Sequence, residues 1–319
     1  MRFRCGMILA LILGTATSAR GDQEEISRFE REFPAAAKRL EGRFATVKGA
    51  CRLWSTSPRA VGPPRVDDAT FAIDHGFEKV LIQTKLPTGG ANAPHLDTVY
   101  CVGPGSVFTL TRLPNAETFV VEGTGLTPKD RALYLNTFGQ FVKAFDGVFG
   151  RTMSQVMATP GFRVTAAERI EKDGETLVKV DYESGTHEPK QQASVVFDPK
   201  AGWAVRSSDW RQKLASYEIR MITDVEYGPS RDGFPMPRRI TVRDQTGDVS
   251  ICEFVNWSFE STPEAEFGMP YYRLPDLVSK SSAPRRTFVY WCLGLATVGI
   301  VFAVLLRRLA SRGVRSRQV

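Results

Sequence analysis

The 319-residue chain is poor in the side chains that carry most covalent and metal chemistry. It has three histidines, His75, His95 and His187, and no two of them stand at a metal-ligand spacing. His-Glu-x-x-His, Cys-x-x-Cys and Gly-x-Ser-x-Gly are all missing, which removes the common zinc, dithiol and serine-nucleophile signatures. Gly103-Pro104-Gly105-Ser106 lacks the lysine of a phosphate loop and reads as a tight turn. His95-Leu96-Asp97 brings a His close to an Asp outside a turn, and sequence adjacency does not supply the geometry of a triad. Carboxylates are plentiful in loops, as on any soluble domain, and none is singled out as an acid–base pair. The expectation is therefore a non-enzyme with no catalytic residue, no metal and no cofactor.

Acids are missing from both ends. Residues 1–19 contain Arg2 and Arg4 and no acid, and residues 285–319 contain seven arginines and no acid. The intervening body then holds 33 of the 42 basic residues against all 35 acids, a net of −2 within a chain of +7. A near-neutral body excludes the polyanion partner, nucleic acid, that a pI of 9.2 would suggest. The N-terminal end has the three parts of a secretory signal over residues 1–19: a charged start, the apolar run Cys5–Leu13, and small residues to Ala19, with Ala16 as the alternative cleavage point. The run Phe288–Leu306 is uncharged and reaches about 28 Å, enough to cross the hydrocarbon of a bilayer. Tyr290 and Trp291 suit the interface, and the arginine excess beyond the run places the tail 307–319 in the cytoplasm. The expected order is signal peptide 1–19, exported domain 20–260, Pro-containing stalk 261–286, transmembrane helix 287–306 and Arg-rich cytoplasmic tail. The protein is then single-pass in the cell membrane with a periplasmic N-terminal domain.

Cysteine is also scarce. Only Cys51, Cys101 and Cys252 lie in the body. An oxidising compartment permits one disulfide among three, with Cys51–Cys101 as the candidate pair; the alternative is three small buried apolar residues.

The body opens with a helical stripe of Ile26, Phe29, Phe33, Ala37 and Leu40, interrupted by Pro34. Six strand-like segments follow: 44–54, 69–74, 77–85, 98–102, 107–112 and 118–122. A helix capped by Thr127 then carries Tyr134, Phe138, Phe141 and Phe145 on one face. Seven more strand-like segments complete the body: 162–170, 176–182, 193–197, 202–208, 216–227, 237–245 and 249–258. Turn residues separate them at Asp74-His75-Gly76, Lys172-Asp173-Gly174, Asp198-Pro199-Lys200, Arg231-Asp232-Gly233 and Thr246-Gly247-Asp248. The pattern predicts a mainly β (α+β) fold: a curled antiparallel sheet, or incomplete β-barrel, packed on one or two helices. Trp54, Trp203, Trp210 and Trp257 either fill its core or line a cavity mouth. Alternation assigns Trp203, Val205, Tyr217, Ile219 and Met221 as cavity-lining candidates. Asn256-Trp257-Ser258 is a formal glycosylation sequon.

The order helix, strands, helix, strand meander in an exported chain resembles the lipoprotein-carrier fold of the LolA/LppX/RseB type. The phrases Gly161-Phe162-Arg163-Val164, Val196-Phe197-Asp198-Pro199-Lys200-Ala201-Gly202-Trp203, Asp232-Gly233-Phe234-Pro235-Met236-Pro237-Arg238 and Glu266-Phe267-Gly268-Met269-Pro270 resemble membrane-anchored exported proteins of planctomycete bacteria. The resemblance spans residues 22–275. It implies an apolar cavity and binding of a lipid, an acyl chain or a lipoprotein; the alternative is an envelope sensor or scaffold with a protein partner. The C-terminal anchor departs from the soluble carriers and argues against shuttling.

Overall fold

The structure is a computed structural model that describes residues 5–59, 64–85, 95–103, 106–125, 127, 147–148, 151–186, 190–214 and 216–276. The helix expected after Thr127, His187, the apolar run 288–306 and the basic tail lie outside the described residues. Among the described residues no helix is long and apolar enough to cross a membrane.

Helix α1 spans Cys5–Arg43. The strands are β1 (Thr46–Thr56), β2 (Arg65–Asp74), β3 (Phe77–Lys85), β4 (His95–Val102), β5 (Val107–Arg112), β6 (Val120–Gly125), β7 (Gly147–Val148), β8 (Arg151–Thr152), β9 (Arg163–Lys172), β10 (Glu175–Ser184), β11 (Gln191–Asp198), β12 (Ala204–Lys213), β13 (Glu218–Tyr227), β14 (Pro237–Asp244) and β15 (Val249–Ser258). Helix α2 is Met153–Met157, closed at its start by a reciprocal capping box between Thr152 and Gln155. Strands β7 and β8 make a small hairpin of their own. Neither that hairpin nor α2 is visible in the alternation, because two-residue strands and a five-residue helix are too short to show a period.

The thirteen strand-like segments of the sequence become thirteen strands of one antiparallel sheet, ordered β6-β5-β4-β3-β2-β1-β15-β14-β13-β12-β11-β10-β9. Most joints are sequential hairpins. Several turn on residues at positive φ: His75-Gly76 (44° and 90°), Asp173-Gly174 (54° and 79°) and Asp232-Gly233 (54° and 79°). That pairing of angles matches the right-handed twist of the flanking strands. The exception to sequential pairing is the joint between β1 and β15, which holds the two meanders together. It carries a bulge where the register moves from Ala50↔Asn256 to Cys51↔Phe254, leaving Val255 extra. Asn256 Oδ1 accepts the Ala50 N–H at 2.8 Å and satisfies a backbone donor at the bulge.

Helix α1 lies on the inner face of the sheet. It runs through Pro34 without breaking; Pro34 is exposed, while Phe33, Ala36 and Ala37 beside it are buried. Docking of the apolar stripe on both sides of the proline holds the axis together against the lost hydrogen bond. The N-terminal part of the stripe, Phe29 and Phe33, joins Val178, Val180, Val195, Phe197 and Val205 in one core. The C-terminal part, Leu40, joins Phe44, Phe71, Ile240, Cys252 and Phe254 in a second. At the sheet edge Arg169 donates to Glu25 at 2.5 Å and pins the helix to β9.

A third core lies on the outer face, where Ala72, Val99, Cys101, Phe108 and Leu110 are covered by Phe267 and Met269. These two belong to 3₁₀ turns Glu264–Phe267 and Met269–Tyr272. Residues 261–274 were expected to be extended stalk from their prolines, but they fold back as a strap with Phe267 fully buried. Proline restricts φ without saying what the side chains between prolines pack on. Gly103 lets the strap approach, because a Cβ there would collide with the Phe267 carbonyl oxygen.

Asp74 fastens the strap's start. Its Oδ2 accepts from Ser261 Oγ at 2.7 Å and from the Thr262 N–H at 2.8 Å. The Ser261 hydrogen bond, aided by the Thr262 N–H and outweighing burial, holds the carboxyl below its ordinary value. Its folded value is depressed, so its stabilisation is present above the unfolded carboxylate value and is lost as pH falls through the folded one. Asp74→Asn is expected to cost about 1–3 kcal/mol near neutral pH and to flatten that acid limb. Urea unfolding from pH 7 to pH 2 measures both; an unchanged limb contradicts the assignment.

Candidate functional site

Four of the five cavity candidates converge on the inner face beside α1. Val205 and Trp203 are buried, and Ile219 and Met221 pack half-buried against the same core. Tyr217 does not join them. It precedes β13 and is 58% exposed, so the alternation that carried it does not extend beyond the strand.

Trp203 reaches this face by a route other than strand alternation. The expected strand from Gly202 begins only at Ala204, and Trp203 sits in the turn at φ 63°, its N–H bonded to Asp198 O at 2.8 Å. A bulky residue in the left-handed region costs about 1–3 kcal/mol unless its surroundings compensate. The compensation is aromatic. The Trp203 ring lies 5.6 Å from Phe29, 6.2 Å from Phe33 and 6.2 Å from Phe197, with the Arg28 guanidinium 5.5 Å above it. Asp198 supports the turn from below, accepting from Ala201 N at 3.1 Å and from Arg206 at 2.5 Å.

At this end of the sheet the inner face is thus filled by α1. Phe29 and Phe33, stacked at 4.7 Å, occupy the space that the strand residues define. They were legible as one apolar stripe, but not their position against Trp203 and Phe197, which are more than 160 residues away in the chain. Half-buried apolar residues pack against the two inner cores: Leu53 on β1, Ile82 on β3, Ile219 and Met221 on β13.

The outer face of the β1–β15 joint holds a pocket of about 600 Å³, lined by Lys48, Ala50, Thr70, Ala72, Asn256 and Thr262 among others. Lys48 pairs with Glu260 at 2.8 Å and Lys79 pairs with Glu266, so both cations in the pocket are neutralised. Thr262 Oγ1 is buried there without a hydrogen-bond partner among the described residues. The pocket can hydrogen-bond a small polar group but exerts no net pull on an anion. A second outer recess, about 290 Å³, lies over Asp181, Ser194, Asp209 and Arg211. Burial alone would raise the Asp209 carboxyl, but Arg211 and Arg220 outweigh it and hold it at about 2.

The His/Asp candidate dissolves. Asp97 is 5% exposed and its carboxylate is taken by Arg112, at 3.1 Å to Nε, and by Gln83 at 3.3 Å. His95 is exposed at the start of β4 and makes no hydrogen bond to Asp97 among the described residues. His75 is an exposed turn residue whose Nε2 lies 3.3 Å from Thr46 Oγ1. No group of three or more His, Cys, Asp or Glu among the described residues could hold a metal ion.

The candidate pair Cys51 and Cys101 is not brought together, and all three cysteines are small buried residues, as in the alternative reading. Cys51, Cys101 and Cys252 are all buried free thiols. Cys51 belongs to the inner core and Cys101 to the outer one, with the thickness of the sheet between them. The spacing of cysteines along a chain carries no information about which face of a strand each one occupies.

No protein-family model and no curated protein matches the chain. Among solved structures it is similar to a domain assigned to outer membrane lipoprotein sorting from Vibrio parahaemolyticus, at 11% identity and a TM-score of 0.45, covering 75% of this chain and 97% of that one. It is similar to a LolA superfamily protein from Nitrosomonas europaea, at 10% identity and a TM-score of 0.45, covering 75% and 99%. A DUF1329 family protein from Desulfovibrio piger is similar at 10% identity and a TM-score of 0.44, covering 76% and 99%.

Proposed function

We propose that the β-rich domain is an exported binding module, held at the membrane by residues 287–306, whose inner sheet face receives an apolar ligand. The ligand class is a lipid, an acyl chain or an acylated protein. The supporting observation is that Leu53, Ile82, Ile219 and Met221 are apolar and only half-covered beside the two buried cores of that face. The ordering of charges at the two chain ends supports the location: arginines flank apolar runs while the body is near neutral. The module binds and releases its ligand without a chemical step.

The full chain, purified in detergent and transferred to nanodiscs, is expected to take up a fluorescent fatty acid. Ile219→Asp/Met221→Asp is expected to weaken uptake at least about 10-fold, since a carboxylate there must be desolvated. Val255→Asp, at the exposed bulge, is expected to bind as the parent does. No uptake by the parent chain, or equal uptake by the double variant, overturns the reading. An inner face that stays empty while in-membrane crosslinking captures an envelope protein turns it to the scaffold alternative.

A further inference from the structure

Three buried thiols remain that the binding function does not use, and the sheet register separates them. On β1, Cys51 pairs with Phe254 and Leu53 pairs with Cys252. Cys51 and Cys252 are therefore diagonal neighbours across the β1–β15 joint. They point to the same inner face and share one core, at 2% and 0% exposure. The neighbouring Cys51 thiol first, then burial, pushes the Cys252 thiol well above its ordinary value. Cys101 stands apart on the outer face. Its Sγ–H donates to the Phe267 carbonyl at 3.3 Å, and burial pushes the thiol up to about 12.

We propose that Cys51 and Cys252 are a disulfide-forming pair that locks the β1–β15 joint, and that Cys101 is the thiol left free. The bond joins the two strands that chain connectivity leaves furthest apart, and it ties the two meanders to each other. The chemistry needs a disulfide oxidant, a small-molecule or protein disulfide. One Cys thiol loses its proton and attacks that disulfide, giving a mixed disulfide and releasing one oxidant thiolate, which takes up a proton. The second Cys thiolate then displaces the remaining oxidant half, forming the Sγ–Sγ bond. Two protein thiols are oxidised and one disulfide is reduced to two thiols. In the closed sheet neither sulfur is reachable by an oxidant. The exchange therefore belongs to folding, or to an opened joint, and a formed bond is shielded from reductant in turn. Thr56 to Val249 close the joint at one end and Lys48 to Ser258 at the other, so reopening requires breaking a full-length ladder.

The test is refolding of the reduced full chain in detergent with a mixture of reduced and oxidised glutathione. Free thiols are then blocked under denaturing conditions without reductant, and the peptides are mapped by mass spectrometry. The Cys51 peptide is expected to be linked to the Cys252 peptide, with Cys101 carrying the blocking group. Adding dithiothreitol during urea unfolding is expected to lower the midpoint of the oxidised chain and to leave Cys51→Ser/Cys252→Ser unmoved. Cys101→Ser is expected to form the same linkage, which keeps the test decisive if the double variant folds poorly. Blocked Cys51 and Cys252 in the oxidised parent chain, or a linkage to Cys101, overturns the proposal.

Discussion

Gly49→Ala is expected to destabilise the domain by about 3 kcal/mol or more and to loosen the β1–β15 joint selectively. Gly49 faces Trp257 on β15 and Phe71 on β2. A Cβ there would lie 2.9 Å from Phe71 Cζ and closer still to the Asn256 carbonyl oxygen. The ring could shift, but the carbonyl belongs to the bulge that Asn256 and Ala50 hold closed, so the strand itself must move. Amide exchange measured by mass spectrometry should rise first in 46–56 and 249–258. Gly42→Ala is the control. It lies in α1 with nothing within 4 Å of the added methyl, and it is expected to stabilise by up to about 1 kcal/mol through helix propensity. Equal effects of the two changes would show that steric closure of the joint is not what Gly49 provides.

Phe33→Ala is expected to cost about 3–5 kcal/mol and to lower the thermal midpoint by about 10 °C for a domain of this size. The ring is 2% exposed and lies 4.7 Å from Phe29 and 5.1 Å from Phe197. It is also one of the rings that holds Trp203 in its left-handed turn. Its loss leaves a void that rigid strands cannot close and removes part of what offsets the strain at Trp203. Tryptophan emission should move to longer wavelength as that indole gains solvent. Phe33→Leu, which keeps most of the volume, is expected to cost under about 1.5 kcal/mol and to leave emission in place. If Phe33→Ala is nearly silent, α1 is not what fills the inner face.

Features set by short-range interactions were legible in the chain, and those set by long-range ones were not. Strand positions were legible because alternation and turn chemistry are local: Val178, Val180 and Tyr182 alternate wherever the strand ends up, and Asp173-Gly174 turns by its own dihedral preferences. The helix stripe was legible for the same reason. Pro34 misled, because a proline's local cost is set against docking energy that sequence does not display. Trp203 misled in the opposite sense. Strand alternation does not reach it, and an aromatic cluster holds it in place.

Sequence alone determined the mainly β class, the thirteen strands and their turns, because each depends on contacts a few residues apart. It also determined that uncompensated positive charge sits at the two ends of a near-neutral body. Tertiary structure decided what depends on bringing distant residues together. It decided that β1 joins β15, that 261–274 is a strap rather than a stalk, that α1 occupies the inner face beside Trp203, and that Cys51 meets Cys252 while Cys101 lies behind the sheet. A strand's side chains alternate between two faces with a period of two. The sequence shows which residues share a face, but only the folded sheet shows what that face meets.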